Sequence, residues 1–189
     1  SSDLGEILVI FIAMMLGWGT PLLAIHLLLI NVVTDALPAL ALGLEPVDQD
    51  IMKRKPIPAN QGIFAGKMGV IISLQGLMVG ALTLTGYYIG LRVPVSSYVP
   101  PSQEVGMTMA FLVLCLGQLA QALNCRSDKS LFKIGFFSNR AMVQAVAVSG
   151  FVAILLCLVP ALEIIFKLHN LSMLHWVWVI VLSVAPLAL

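Results

Sequence analysis

Charged residues are scarce in this chain: Asp, Glu, Lys and Arg make up only 10% of its 189 residues. Soluble domains carry about 25% charge, so the composition excludes a water-soluble fold. The three cysteines lack the spacing of a metal site. No basic patch with interleaved aromatic residues, typical of nucleic-acid binding, is present either. We therefore predict three reduced cysteines and no nucleic-acid partner.

Long apolar runs take the place of the missing charge, because 60% of the residues are hydrophobic. Most of the runs come near the ~20 residues that cross a bilayer as a helix. The sequence therefore predicts an all-α, polytopic membrane bundle of six transmembrane helices, a single lipid-embedded domain over residues 1–189. The first and last runs are short and are predicted to be truncated spans. The six predicted spans are about 3–19, 22–43, 68–91, 105–124, 141–160 and 172–189.

The basic residues predict the orientation of the bundle. Eight of the ten Lys and Arg residues lie in or next to the segments 44–67 and 125–140, and only Arg92 and Lys167 lie elsewhere. Because positive residues remain on the cytosolic side of a membrane, we predict that both segments are cytosolic loops. The protein is then a multi-pass integral membrane protein, in the plasma membrane if it is bacterial.

Glycine and proline predict two features of the packing. A Gly19-Thr20-Pro21 turn joins the first two spans and predicts a helical hairpin. The third span carries two Gly-x-x-x-Gly pairs, at Gly76/Gly80 and at Gly86/Gly90. Such spacing lets a second helix approach closely in a membrane, so we expect tight helix contacts along this span.

The second span contains an amide, a hydroxyl and a carboxylate at Asn31, Thr34 and Asp35. An aspartate at the centre of a membrane helix costs roughly 2.5–3.5 kcal/mol on insertion scales, so its presence points to a function. On a helix the three side chains share one face, because they are spaced i, i+3 and i+4. Pro38 has no N–H and disfavours helix at Leu37. We therefore expect an interrupted helix with free carbonyl groups beside Asp35.

Further oxygen ligands lie on other spans. Asp3 and Glu6 share a face of the first span, unless they are solvated at the end of that span. Gln118 and Gln121 share a face of the fourth span, where they could bridge neighbouring helices instead of binding an ion. Oxygen-only ligands suit Ca²⁺, which takes six to eight of them. Two carboxylates ~4 Å apart repel by about 4 kcal/mol at an effective dielectric of 20, so a cation or protons must relieve the repulsion. This predicts exchange of the cation for H⁺ at a site whose ligands are Asp3, Glu6, Asn31, Thr34, Asp35 and Gln118.

The chain resembles the last six of the ten membrane helices of calcium-transporting P-type ATPases. The resemblance rests on Ser1-Ser2-Asp3-Leu4-Gly5-Glu6, on the run from Leu28 to Pro46 with its Asn-x-x-Thr-Asp motif, and on Asp50-Ile51-Met52-Lys53-Arg54. It continues more loosely to Leu168. The motif favours the calcium pumps over the sodium/potassium and proton branches.

The resemblance implies ion ligands at Glu6, Asn31, Thr34 and Asp35. Asp3 occupies a position where the family has an Asn ligand, and Gln118 one where members that transport two ions have Glu. Gln118 therefore predicts one transported Ca²⁺ ion rather than two. Ala36 replaces the Gly that often follows the aspartate, which places more of the helix interruption on Pro38.

The resemblance also implies what this chain leaves to the rest of a pump. It has no Asp-Lys-Thr-Gly phosphorylation motif and no nucleotide-binding domain. We therefore expect Mg²⁺ and ATP to bind only to the complete pump, whose N-terminal helices and cytosolic domains are the expected partners, and this chain to be inactive alone. Two other hypotheses remain: the membrane domain of a cation transporter that does not use ATP, and a helical scaffold without transport.

Overall fold

The computed structural model describes residues 2–43, 67–95, 99–124 and 140–188, and every regular element within these ranges is helical. The all-α prediction is confirmed. The predicted cytosolic loops 44–67 and 125–140 lie almost entirely outside the described residues. The elements are α1 (Ser2–Met15), α2 (Ala24–Ile30), a π-helix (Asn31–Ala36), α3 (Leu37–Gly43), α4 (Lys67–Arg92), α5 (Gln103–Asn124), α6 (Arg140–Leu158), α7 (Pro160–Phe166), α8 (Met173–Val184) and a 3₁₀-helix (Ala185–Ala188).

Each predicted span contains a helix, but only some of these helices are long enough to cross a membrane. Three stretches of the described chain are long and apolar enough, namely 24–41, 69–92 and 103–123. Helices α6 and α7 form a fourth if they count as one span bent by 91°. Helices α1 and α8 have 14 and 12 residues, fewer than the ~20 that a span needs. A helical membrane bundle is therefore confirmed, and a count of six spans is not.

Helix α5 forms the centre of the bundle. Its apolar residues are buried on all sides, with Met109, Phe111 and Leu114 at 1% exposure or less. It packs against α4 on one side and against α6 and α8 on others. A helix that is apolar all round is buried within the protein rather than amphipathic. The consequence for the site is that Gln118, on α5, lies inside the protein and not in lipid.

Small residues allow α4 to approach its neighbours closely, as the Gly-x-x-x-Gly spacing predicts. A Cβ on Gly5 of α1 would lie 3.3 Å from the carbonyl oxygen of Gly76. A Cβ on Gly90 would lie only 2.7 Å from Cα of Gly106 on α5, a distance that backbone atoms do not tolerate. These contacts bring α1, α4 and α5 together and set the position of α1 relative to α5.

The turn between α1 and α2 has the predicted glycines, but the two helices do not form a hairpin. Gly17 and Gly19 both take positive φ angles, 67° and 87°, which glycine adopts without a steric penalty. The two helices pack on different neighbours: α1 packs mainly on α4, whereas α2 packs on α5 and continues into the π-helix. The expected hairpin is therefore wrong, because the close glycine contacts hold α1 against α4.

The fifth predicted span, 141–160, ends two residues early. Helix α6 stops at Leu158, and α7 starts at Pro160 in a new direction. Proline is well tolerated in the first turn of a helix, so Pro160 begins α7 rather than ending α6 in a loop. Cys115 on α5 and Cys157 on α6 are buried and free, whereas Cys125 lies outside the described residues.

Candidate cation site

The Asn31–Ala36 segment is a π-helix, which joins α2 to α3 without a break. The expected interruption at Pro38 is wrong, since Leu37 keeps helical angles (φ −70°, ψ −48°). The π-helix pairs residues five apart and makes a wider turn, and the chain passes Pro38 in helical conformation. Pro38 still has no N–H to offer the carbonyls four and five residues earlier. One of these, the Val33 carbonyl, accepts a hydrogen bond of 2.6 Å from the Ser149 hydroxyl of α6.

Thr34 lies at the centre of the π-helix and is 2% exposed. Its hydroxyl is 2.6 Å from the carbonyl oxygen of Ile30 and 3.0 Å from Oε1 of Gln118. A hydroxyl has a single proton for these two acceptors. The Thr34 hydroxyl can therefore donate fully to only one of these two oxygens at a time.

Gln118 connects the π-helix to α1. Its Nε2 donates to Oε1 of Glu6 over 3.3 Å, while its Oε1 faces the Thr34 hydroxyl. Glu6 is 6% exposed and Gln118 7%. The Gln118–Gln121 pair could either bind an ion or bridge neighbouring helices. Gln118 bridges helices, and it also contacts the predicted ligand Glu6. Three separate elements thus bring a carboxylate, an amide and a hydroxyl into one buried chain of contacts.

The remaining predicted ligands are Asp35, Asp3 and Asn31. Asp35 is half-buried, and both Asp35 and Asp3 exert an electrostatic effect on the Glu6 carboxylate. Asp3 and Asn31 are exposed. Within the described part of the chain, no three His, Cys, Asp or Glu side chains come close enough together to hold a metal ion. The full six-residue ligand set therefore stays a prediction, with Glu6, Thr34 and Gln118 as its connected part.

Sequence reasoning missed two buried polar residues, one that contacts the π-helix and one that lies just before it in α2. Ser149 on α6 and His26 on α2 are fully buried, and each hydrogen-bonds a carbonyl group far away in sequence. In the sequence, each of these residues is recognisable only as a lone polar side chain in an apolar helix. This pattern does not indicate which carbonyl group the side chain will bind. Gln121 is also buried, and its Nε2 has no hydrogen-bond partner among the residues that the structure describes.

Comparison with known proteins places the chain in a family. Residues 19–189 match the family described as "Cation transporting ATPase, C-terminus". The chain is 37% identical to calcium-transporting ATPase 1 of Bacillus cereus and 36% identical to the calcium-transporting ATPase of Bacillus subtilis, over 99% and 98% of its length. It is 38% identical to a calcium-transporting ATPase of Listeria monocytogenes over 93% of its length.

These relatives are much longer than the chain, which spans 22%, 20% and 19% of their lengths. The helical fold, the buried polar chain of contacts and the family match agree with one another. The chain therefore belongs to the cation-transporting ATPase C-terminal family, the membrane-spanning C-terminal part of P-type cation pumps.

Proposed function

We propose that this chain is the ion-binding half of the transport domain of an ATP-driven calcium pump, which exchanges Ca²⁺ for H⁺ across a membrane. The family match and the names of the relatives support this proposal. The complete pump would supply the phosphorylation and nucleotide-binding domains, where Mg²⁺ and ATP act. The chain itself would contribute ion ligands within the bilayer, in the plasma membrane if the organism is bacterial.

The observation that carries the proposal is the buried carboxylate of Glu6, held by the neutral amide of Gln118 beside Thr34. A carboxylate removed from water is costly unless it is paired, hydrogen-bonded or coordinates a metal. Its hydrogen-bond donor, Gln118, is neutral, and the Asp3 and Asp35 carboxylates that act on it have the same sign of charge. A bound divalent cation would compensate these charges, and protons would do so after its release.

The ligand chemistry supports calcium over softer metals. Carboxylate, amide, hydroxyl and backbone carbonyl oxygens are hard ligands, and the connected residues include no thiol or imidazole. Such oxygens are preferred by Ca²⁺, whose larger coordination shell also tolerates irregular geometry. Asp35 would supply charge and up to two oxygens from the π-helix, and Glu6 would supply the same from α1.

Phosphorylation of the complete pump tests this proposal. In P-type calcium pumps, phosphorylation by ATP requires bound calcium. Phosphorylation by inorganic phosphate, the reverse of phosphoenzyme hydrolysis, does not. We expect Asp35→Asn to abolish calcium-dependent phosphorylation by ATP and to leave phosphorylation by inorganic phosphate largely intact. Glu104→Gln, the same chemical change at an exposed position of α5, is the matched control. Wild-type calcium affinity in Asp35→Asn would show that Asp35 is not a ligand.

A further inference from the structure

His26 is fully buried in α2, five residues before Asn31. Both nitrogens of its ring have partners. The backbone N–H of Leu23 donates to Nδ1 over 3.3 Å, and Nε2 lies 2.7 Å from the carbonyl oxygen of Phe166. Because Nδ1 accepts a hydrogen bond, the proton of a neutral ring lies on Nε2 and is donated to Phe166. These contacts fix the tautomer and the orientation of the ring.

The Phe166 carbonyl belongs to the last residue of α7, where a helix leaves carbonyl groups without intrahelical partners. The next residue, Lys167, turns the chain out of the helix with a left-handed conformation (φ 51°). Two residues later, the backbone N–H of His169 donates to Oγ1 of Thr108 on α5 over 2.8 Å. The segment 166–169 is thus fixed between α2 and α5, and His26 provides the contact to α2.

The His26 ring is also held by packing. It lies against Phe111 of α5 with the ring centroids 5.4 Å apart and the planes at 44°, a tilted geometry that is favourable for aromatic pairs. Phe111 is 1% exposed. A displacement of the imidazole would therefore break a hydrogen bond and disturb the packing of the central helix, so the ring provides a rigid connection.

The bent pair of helices α6 and α7 holds the segment from α2 to the π-helix at two points. Ser149 on α6 donates to the Val33 carbonyl within the π-helix. His26, which lies on α2 eight residues before Thr34, donates to the last residue of α7. Two contacts on one continuous helical segment fix both its position along its axis and its rotation, which a single contact does not.

We propose that His26 is a positioning residue for the cation site. Its Nε2–H, bound to the Phe166 carbonyl, fixes the height and rotation of α2 and the π-helix. It thereby holds the Asn31, Thr34 and Asp35 side chains in the arrangement that binds the cation. This inference rests on the proposed function, because it assigns a role to His26 at the same site. His26 itself does not contact the cation.

Amide substitutions of His26 in the complete pump separate its two hydrogen bonds. His26→Gln places an N–H donor near the position of Nε2, and His26→Asn places its amide near Nδ1, too short to reach Phe166. His26→Leu retains apolar packing against Phe111 and can form neither hydrogen bond. The measurement is the calcium concentration that gives half-maximal phosphorylation by ATP. Phosphorylation by inorganic phosphate without calcium reports the amount of folded pump.

We expect His26→Leu and His26→Asn to raise the required calcium concentration about three- to tenfold, the range for loss of one buried hydrogen bond. We expect His26→Gln to remain within about twofold of wild type on the same reasoning. A purely structural role would instead lower the amount of phosphorylated pump in all variants and leave the calcium dependence unchanged.

Two results would overturn the inference: wild-type calcium dependence in both His26→Leu and His26→Asn, or a shift in His26→Gln as large as theirs. If His26→Leu does not accumulate, the comparison of the Asn and Gln variants is sufficient. Either result would leave the proposed function intact. Phosphorylation of wild-type pump that does not depend on calcium would instead contradict the proposed function, and with it the role of His26.

Discussion

Gln118 and Glu6 are 112 positions apart in the sequence, yet the Gln118 side chain donates to the Glu6 carboxylate over 3.3 Å. The close contacts of Gly5 with Gly76 and of Gly90 with Gly106 bring the two helices together through α4. In the site that we propose, this contact affects the charge, since Gln118, the residue on α5 that contacts Glu6, is neutral. A site with fewer carboxylates attracts fewer divalent ions.

The first prediction is that the complete pump binds a single Ca²⁺ ion per phosphorylation site. Gln118 offers a neutral oxygen where pumps of the resembled family that transport two ions have a carboxylate. Gln118→Glu should increase the number of ions bound, because the added charge lies beside Glu6 and its repulsion is relieved by a cation. Equilibrium binding of radioactive calcium to purified pump gives the count. Two ions bound by wild type would contradict the prediction and would indicate that Asp3 supplies the charge that Gln118 lacks.

The second prediction concerns the hydroxyl that supports the π-helix. Ser149→Ala leaves the Val33 carbonyl without its side-chain donor, which costs about 1–3 kcal/mol if the group stays buried and unpaired. We expect a lower unfolding temperature of the purified pump and a weaker affinity for calcium. Ser149→Thr retains a hydroxyl and should restore most of both.

Ser73→Ala is the matched control for this experiment, because Ser73 is an exposed serine on a neighbouring helix, α4. It should change neither the unfolding temperature nor the calcium affinity. If Ser149→Ala behaves like Ser73→Ala, the hydrogen bond to Val33 does not hold the π-helix in place.

The sequence identifies candidate ligands, but it does not predict which side chains contact one another. Asn31, Thr34 and Asp35 stand out because oxygen-bearing side chains are rare within an apolar run, and the relatives confirm the resemblance drawn from that motif. Which residues meet across the bundle depends on how helices pack. The Gly19-Thr20-Pro21 turn indicates where the chain changes direction, but it does not indicate which helices pack together. Helix α1 packs mainly on α4 and α2 on α5, and the expected hairpin does not form.

The sequence pattern also did not predict that the chain stays helical past Pro38. Proline disfavours helix through steric clash and a missing donor, and both effects predict a break. Tertiary structure reverses this expectation, since Ser149 of α6 satisfies the Val33 carbonyl and the π-helix maintains a helical path. Ser149 lies 116 positions away from Val33, too far for any local rule to connect them.

The third prediction tests the glycine contact between α4 and α5. Gly90→Ala would place a methyl group 2.7 Å from Cα of Gly106, so the two helices must separate. Overpacking of this kind costs about 1–3 kcal/mol. Thermal unfolding of the purified pump should show a lower midpoint. Gly117→Ala, at a position on α5 with no neighbouring atom within 4 Å of the added carbon, is the control and should not lower the midpoint.

The fourth prediction concerns orientation. The segments 44–67 and 125–140 should be cytosolic, because eight of the ten basic residues lie in or beside them. A pump with Lys53→Cys as its only accessible cysteine should react with a membrane-impermeant thiol reagent from the cytosolic side. A cysteine in place of Arg92 should react from the opposite side. Labelling of position 53 from outside would contradict the topology.

Equilibrium binding of radioactive calcium to the purified complete pump, wild type against Glu6→Gln, tests the central claim most directly. Glu6→Gln retains the size of the side chain and an oxygen that can accept from Gln118, and it removes only the charge. If Glu6 is a buried ligand of the transported ion, wild type binds calcium saturably and Glu6→Gln loses at least tenfold in affinity, about 1.4 kcal/mol. Calcium binding of equal affinity in the two proteins would contradict the account.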